Sequence, residues 1–271
     1  MKQHVTRKAI LIGCPGSKTI LKGVSKDLVH MGRFLQSAVG GGWRKDEIQT
    51  LNNPTCNNVR MALRLAKVDY LMVYFSGHGF TDQFSNRMIT LKDGKLCDLD
   101  LLNASARQLV IIDACRNYSE TGLSGIPDLM ITTNHYEGVS PHEMFDDYIR
   151  QSPYGKLIVH ATQPGFFSYD DANYGGHFTN SLLKCSLNSK GSQFAAYTIE
   201  AVLPEVVGAL AGKQIPSIAL HQGNLMVPFV MNFPGAKLIT KKEYDTIELP
   251  QLVTGLLIGA IVVGGIIALS E

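Results

Sequence analysis

Residues 69–79 read DYLMVYFSGHG, and residues 108–116 read QLVIIDACR. Each begins as a near-continuous apolar run and ends in polar, reactive residues. A strand wetted on one face alternates apolar and polar side chains, so a run without alternation marks a strand covered on both faces. Residues 156–161 (KLIVHA) form a third such run and residues 8–13 (KAILIG) a fourth. Helical stripes lie between them. Val24, Leu28, Met31, Leu35 and Val39 recur along 24–39, and Thr55 caps a stripe of Val59, Ala62, Leu63 and Ala66. Helical patterns also cover 176–187 and 194–211. EIQTL (47–51) reads as a short strand, and IPSIAL (215–220) and LMVPFV (225–230) as late strands near an edge. This order predicts an α/β fold with a central, mostly parallel β-sheet flanked by helices.

The 271 residues are 45% hydrophobic and 18% charged, a balance that supports a full core and argues against extended disorder. Net charge is +2, without a Lys/Arg stripe, which argues against a nucleic-acid partner. The five cysteines include no CxxC pair, so neither a metal nor another cofactor is expected. KAILIG is too short for a secretory leader, which predicts a reducing compartment and free thiols.

Residues 252–269, LVTGLLIGAIVVGGIIAL, run for 18 residues without a charge. As a helix they would span about 27 Å, close to the hydrocarbon thickness of a bilayer. They predict a single C-terminal transmembrane helix, with Lys237, Lys241 and Lys242 and the globular part on the cytoplasmic side. The spacing of Gly255 and Gly259 would let this helix pair with a second copy of the chain. The expected organisation is 1–118, a loop at 119–155 without periodicity, 156–231, a polar linker at 232–251, and the span.

The chemistry lies at the strand ends. Parallel sheets bind ligands at the carboxyl ends of their strands. If the two strands are neighbours, His78 and Cys115 meet there. A thiol with a pKa of about 8.5 becomes a usable nucleophile beside an imidazole. The backbone N–H groups of Gly79 and Cys115 would receive a developing oxyanion. A lone cysteine at a strand end is ordinarily a small buried hydrophobe, and a lone histidine a satisfied core residue. The paired Gly-His-Gly and Asp-Ala-Cys settings weigh against both. Cys14, Cys56, Cys97 and Cys185 have no such setting and read as structural, and His160 and His177 lack the flanking glycines.

YFSGHG and IIDACR resemble the histidine and cysteine motifs of the caspase and metacaspase superfamily. KAILIGCPGSKTILKGVSKDL, NNPTCNNVRMALRLAKVDYLMVYFSGHG, LIVHATQPGFFSYDDANYGGHFTNSLL and QIPSIA extend the likeness over residues 8–118 and 156–230. The resemblance implies a caspase-like fold and a cysteine endopeptidase acting on a protein or peptide, with Cys115 as nucleophile and His78 as base. It places 119–155 where that family is cut between its subunits, which makes Arg150 and Lys156 candidate self-cleavage sites. The departures bear on specificity. Caspases carry Gln where Asp113 stands, and an Arg after the pair matching Ser168-Tyr169, where this chain has Asp170 and Asp171. Asp27 matches an acidic position of metacaspases. The expected substrate pocket is therefore Asp27, Asp113, Ser168, Tyr169 and Asp170, and it favours Arg or Lys before the scissile bond. Asp146-Asp147 is a thin calcium candidate and reads as solvated loop. A separase-like or CHAT-type peptidase would share the two motifs. A catalytically silent scaffold, and an effector that disrupts membranes through its tail, are the non-enzyme alternatives.

Overall fold

The structure, a computed structural model, describes residues 4–115, 117–118, 129–131, 140–164, 166, 168–188, 194–232 and 238–240. The expected membrane span, Lys237, Lys241 and Lys242 lie outside these. Among the described residues no helix is long and apolar enough to cross a membrane.

Strand β1 (Arg7–Cys14) leads to helix α1 (Val24–Gln36), which buries Val24, Leu28, Met31 and Leu35 as its stripe requires. β2 (Ile48–Asn52) precedes α2 (Cys56–Leu65). Thr55 Oγ1 accepts the Asn58 N–H at 3.1 Å while Asn58 Oδ1 accepts the Thr55 N–H at 3.1 Å, a reciprocal cap. Next come β3 (Tyr70–Thr81), a hairpin of β4 (Arg87–Thr90) and β5 (Lys95–Cys97), and β6 (Arg107–Cys115). Short strands β7 (Asn117–Tyr118) and β8 (Leu129–Ile131) are followed by α3 (Pro141–Gln151), β9 (Gly155–His160), β10 (Tyr169–Asp171) and β11 (Gly175–Gly176). The rest is α4 (His177–Asn188), β12 (Ala195–Tyr197), α5 (Ile199–Ala209), β13 (Ser217–Gly223), β14 (Val230–Asn232) and β15 (Leu238–Thr240).

The main sheet runs in the order β13-β9-β6-β3-β1-β2, with β4 and β5 added beside β3. β2, β1, β3, β6 and β9 are parallel, and β13 closes one edge antiparallel to β9. Two cores flank it. Tyr70, Met72 and Tyr74 of β3 face a core shared with Met31, Phe34, Phe178 and Leu182 of α1 and α4. Leu71, Val73 and Phe75 face the other, with Val59 and Leu63 of α2. Burial on both faces is why these runs do not alternate.

The sequence expectation differs from the structure in several places: β14 begins only at the end of the expected strand LMVPFV and pairs with β12 in a separate sheet, and β15, paired with β8, lies within the expected linker. Residues 194–211 divide into β12 and α5. Within 119–155, expected as loop, α3 buries Phe145 and Ile149 one turn apart, with Ser140 at its N-cap and Pro141 at its first position. Its acidic residues mask the pattern because they are clasped and not simply solvated. Arg7, buried over the rings of Trp43 (4.7 Å) and Phe145 (4.8 Å), points Nε at Glu47 Oε2 (3.2 Å) and Asp146 Oδ1 (3.6 Å). His142 Nε2 lies 2.8 Å from Glu47 Oε1, and its Nδ1 lies 3.4 Å from Asp146 Oδ2. Burial pulls the Arg7 pKa below its ordinary value, against the pull of Glu47 and Asp146. Asp146 thus joins α3 to β1, and Asp147 pairs with Arg150 within the helix.

Candidate active site

β3 and β6 pair in parallel from Tyr70↔Arg107 to His78↔Cys115, so the histidine and the cysteine stand opposite each other where the two strands end. The half-buried His78 ring is held from outside the sheet. Its Nε2 lies 2.6 Å from the Thr19 carbonyl oxygen. A carbonyl can only accept, so Nε2 carries the proton and Nδ1 is left as the basic nitrogen. Thr19 belongs to the loop after β1, closed by the Leu21 N–H donating to Pro15 O at 2.9 Å. Gly16 in that loop has φ +85°, and a Cβ there would come within 2.5 Å of His78 Cδ2. Gly79 continues β3 into its pairing with β4, opposite Ile89.

On the α1/α4 side of the sheet three carboxyls converge, each almost fully buried: Asp27 from α1, Asp113 from β6 and Asp170 from β10. Asp113 receives hydrogen bonds from Ser168 and Thr179. Ser168 Oγ donates to Oδ1 at 2.9 Å, and Thr179 donates to Oδ2 from its N–H at 3.1 Å and its hydroxyl at 2.7 Å. Those donors are themselves held. Gln214 Nε2 donates to Ser168 Oγ at 2.9 Å, and the Tyr74 hydroxyl lies 2.6 Å from Thr179 Oγ1. Asp27 takes two hydrogen bonds, from Ser76 Oγ (2.6 Å) and the Gly176 N–H (2.8 Å). Asp170 takes one at Oδ2, from the Gly23 N–H (3.0 Å), and its buried Oδ1 has no hydrogen-bond partner.

Glycines make this convergence possible. A Cβ on Gly176 would overlap Asp113 Oδ2 and stand 3.2 Å from Asp27 Oδ2, and one on Gly175 would overlap Asp27 Oδ1. One on Gly23 would overlap Asp170 Oδ1. Burial pushes the Asp27 pKa well above its ordinary value, the charge of Asp113 adds to that, and the Ser76 and Gly176 hydrogen bonds oppose it. Burial also raises Asp170, opposed by the Gly23 N–H and by His78 and reinforced by Asp113 and Asp171.

The remaining expected site residues fall into place around this cluster or away from it. Ser168 is part of it, and Tyr169, next to Asp170, stacks 5.5 Å from the buried ring of His177. Lys156 lies inside β9, between β6 and β13, and donates to Asn103 O at 2.7 Å. Arg150 lies in α3. Proteolysis needs extended, exposed chain, so a cut after either would first require that element to open. On the opposite face of β6, a cavity of about 30 Å³ adjoins Gly79, Met88, Ala114 and His160. Sequence reasoning missed Thr19, Thr179 and Gln214, which reach the site through space from three separate elements.

The caspase domain model matches residues 6–225, most of the chain. The chain belongs to the caspase domain family. It is a caspase-like peptidase domain of mixed α/β fold. Caspase-1 from Spodoptera frugiperda is similar in fold, with a TM-score of 0.51 and 17% identity over 78% of this chain and 85% of that one. Protein GSU0716 from Geobacter sulfurreducens has a TM-score of 0.53 and 21% identity over 86% of this chain and 99% of its own. No curated protein sequence matches the chain.

Proposed function

We propose that this caspase domain is a cysteine endopeptidase that cuts after Arg or Lys, and that residues 252–269 anchor it to a membrane with the domain on the cytoplasmic side. The observation that carries the specificity is the convergence of Asp27, Asp113 and Asp170 beside the ends of β3 and β6. Neither Asp27 nor Asp170 is paired with a lysine or arginine among the described residues. Buried carboxyls in proximity are costly until a cation joins them, and an arginine fork can bond two at once. A pocket for aspartate would need the opposite charge.

In the proposed reaction, Cys115 Sγ attacks the scissile carbonyl carbon and its proton passes to His78 Nδ1. The N–H groups of Gly79 and Cys115 receive the oxyanion. As the tetrahedral species collapses, the C–N bond breaks and His78 gives its proton to the leaving amine. Water then attacks the thioester with His78 as base, releasing the acid and restoring the thiol. The Thr19 carbonyl keeps His78 in the tautomer this cycle needs. The anchor rests on the 18 uncharged residues near the C-terminus. Cys115→Ala and His78→Ala should each lower peptide turnover by on the order of 10⁴-fold, with the double variant little worse than either single one. Retained turnover in Cys115→Ala would refute the mechanism.

A further inference from the structure

We propose that the buried acidic cluster of Asp27, Asp113 and Asp170 stores one proton, shared toward Asp27, and that a basic side chain pairing with Asp170 Oδ1 expels it to solvent. This rests on the basic specificity proposed above and adds a protonation step to it.

The hydrogen-bond directions carry the inference. Gln214 Nε2 can only donate, so the Ser168 oxygen accepts from it and the Ser168 proton goes to Asp113 Oδ1. With Thr179 Oγ1 donating to Asp113 Oδ2, the Tyr74 hydroxyl at 2.6 Å can donate to Thr179 in turn. The Thr179 N–H is a third donor. Asp113 thus has a backbone N–H and two hydroxyls within donating distance, against one of each for Asp27, which makes it the better-stabilised carboxylate of the group.

Asp27 is built differently. Its Oδ1 accepts one backbone N–H, while its Oδ2 faces the Ser76 hydroxyl at 2.6 Å. A hydroxyl donates or accepts, so Ser76 can receive a hydrogen bond from a protonated Asp27 without any atom moving. The charged groups bearing on Asp27 are Asp113 from β6 and Asp170 from β10, both acidic. Asp171 and His78 bear on Asp170 in turn, and Asp171 on His177 at the start of α4. His30, one turn along α1, and Tyr70 and Tyr74 of β3 are the other buried titratable side chains on these elements among the described residues. Burial and the negative neighbours both push Asp27 toward its neutral form.

Asp170 supplies the opening. Its side chain is fully buried, yet Oδ1 has no hydrogen-bond partner, an expensive state for a carboxylate oxygen. That oxygen lies against Gly23, whose Cβ position is 2.7 Å from Gly175 Cα, and Gly175 in turn abuts Asp27 Oδ1. A guanidinium or ammonium reaching that oxygen, with the Gly23 and Gly175 backbone shifting to admit it, would stand beside both carboxyls. The protonated Asp27 then becomes the stronger acid: its O–H bond breaks, the proton leaves to water, and the carboxylate pairs with the incoming cation. Charge balances, one proton out for one cation in.

The test is calorimetric titration of the full-length Cys115→Ala protein with a peptide bearing Arg before the scissile bond, in buffers of differing ionisation enthalpy and over a pH series. About one proton released per peptide bound is expected. Asp27→Asn, which keeps an acceptor for the Gly176 N–H and a donor for Ser76, should still bind the peptide, more weakly and with nearly no proton release. Infrared difference spectra should show a protonated-carboxyl carbonyl band that disappears on peptide addition and is absent in Asp27→Asn. Arg-peptide binding with no proton exchange and no such band would overturn the stored proton and leave the basic specificity standing. Binding of the matching Asp peptide in preference to the Arg peptide would overturn both.

Discussion

His78 Nε2 lies 2.6 Å from the carbonyl oxygen of Thr19, a residue 59 positions earlier in the chain. The contact depends on the loop after β1 passing close over the ring, and Gly16 is what lets it pass. At φ +85° an L side chain is strained, and a Cβ would press on the imidazole. Gly16→Ala should therefore displace the ring and lower kcat on a peptide substrate by on the order of 10²-fold, because small misplacements of a catalytic group cost about that much. The fold should survive, since the loop lies outside both cores. Steady-state kinetics with a thermal melt of the same sample checks both halves.

The stability of the domain should carry the signature of Asp27. Its folded-state pKa is raised, with burial as the largest cause, over an unfolded value near 3.9. Between those two values the native state holds a proton that the unfolded chain has lost. Stability contributed by this group is thus full below the unfolded pKa and falls away as pH rises through the folded one. Asp27→Asn removes that loss. Melting of wild type and variant across pH should show little difference in acid and a higher Tm for the variant toward neutral pH, on the order of 2–4 °C per kcal/mol relieved. A variant that is less stable at neutral pH than in acid, relative to wild type, would contradict the assignment.

Arg7 is expected to matter for folding and not for specificity. It is the cation between Glu47 and Asp146 and is stacked on Trp43 and Phe145. Arg7→Met keeps much of the volume but strands two partly buried carboxylates. Removing one partner of a buried pair costs about 3–5 kcal/mol. Denaturant unfolding should show a loss of that order, while the ratio of Arg to Lys peptide turnover in the folded fraction stays as in wild type.

The parts of this site legible in the sequence are those where function rides on regular structure. The apolar runs before His78 and before Cys115 declare two doubly covered strands, which pair in parallel although the β4–β5 hairpin, and no α-helix, connects them. Asp113 was readable because it lies on one of those strands, two residues from Cys115. Other features are set through space. Neither Thr19 nor Gln214 carries any local pattern that ties it to His78 or Ser168. Gly176 read as the start of a helical pattern, and nothing local showed that it and Gly175 also leave room for two carboxyls. Helix α3 was hidden because His142 and Asp146 are clasped by Glu47 and Arg7 and so resemble a solvated segment. Asp170 was readable as a departure from the caspase pattern, but its bare Oδ1 was not.

The basic specificity is tested most directly by turnover of fluorogenic peptides that differ only in having Arg, Lys or Asp before the scissile bond. Three buried carboxyls should make the Arg and Lys peptides the substrates, with the Arg peptide turned over about 100-fold or more faster than the Asp peptide, since a wrong-charge side chain would leave buried acids unpaired. Turnover of the Asp peptide at an equal or greater rate would contradict the account.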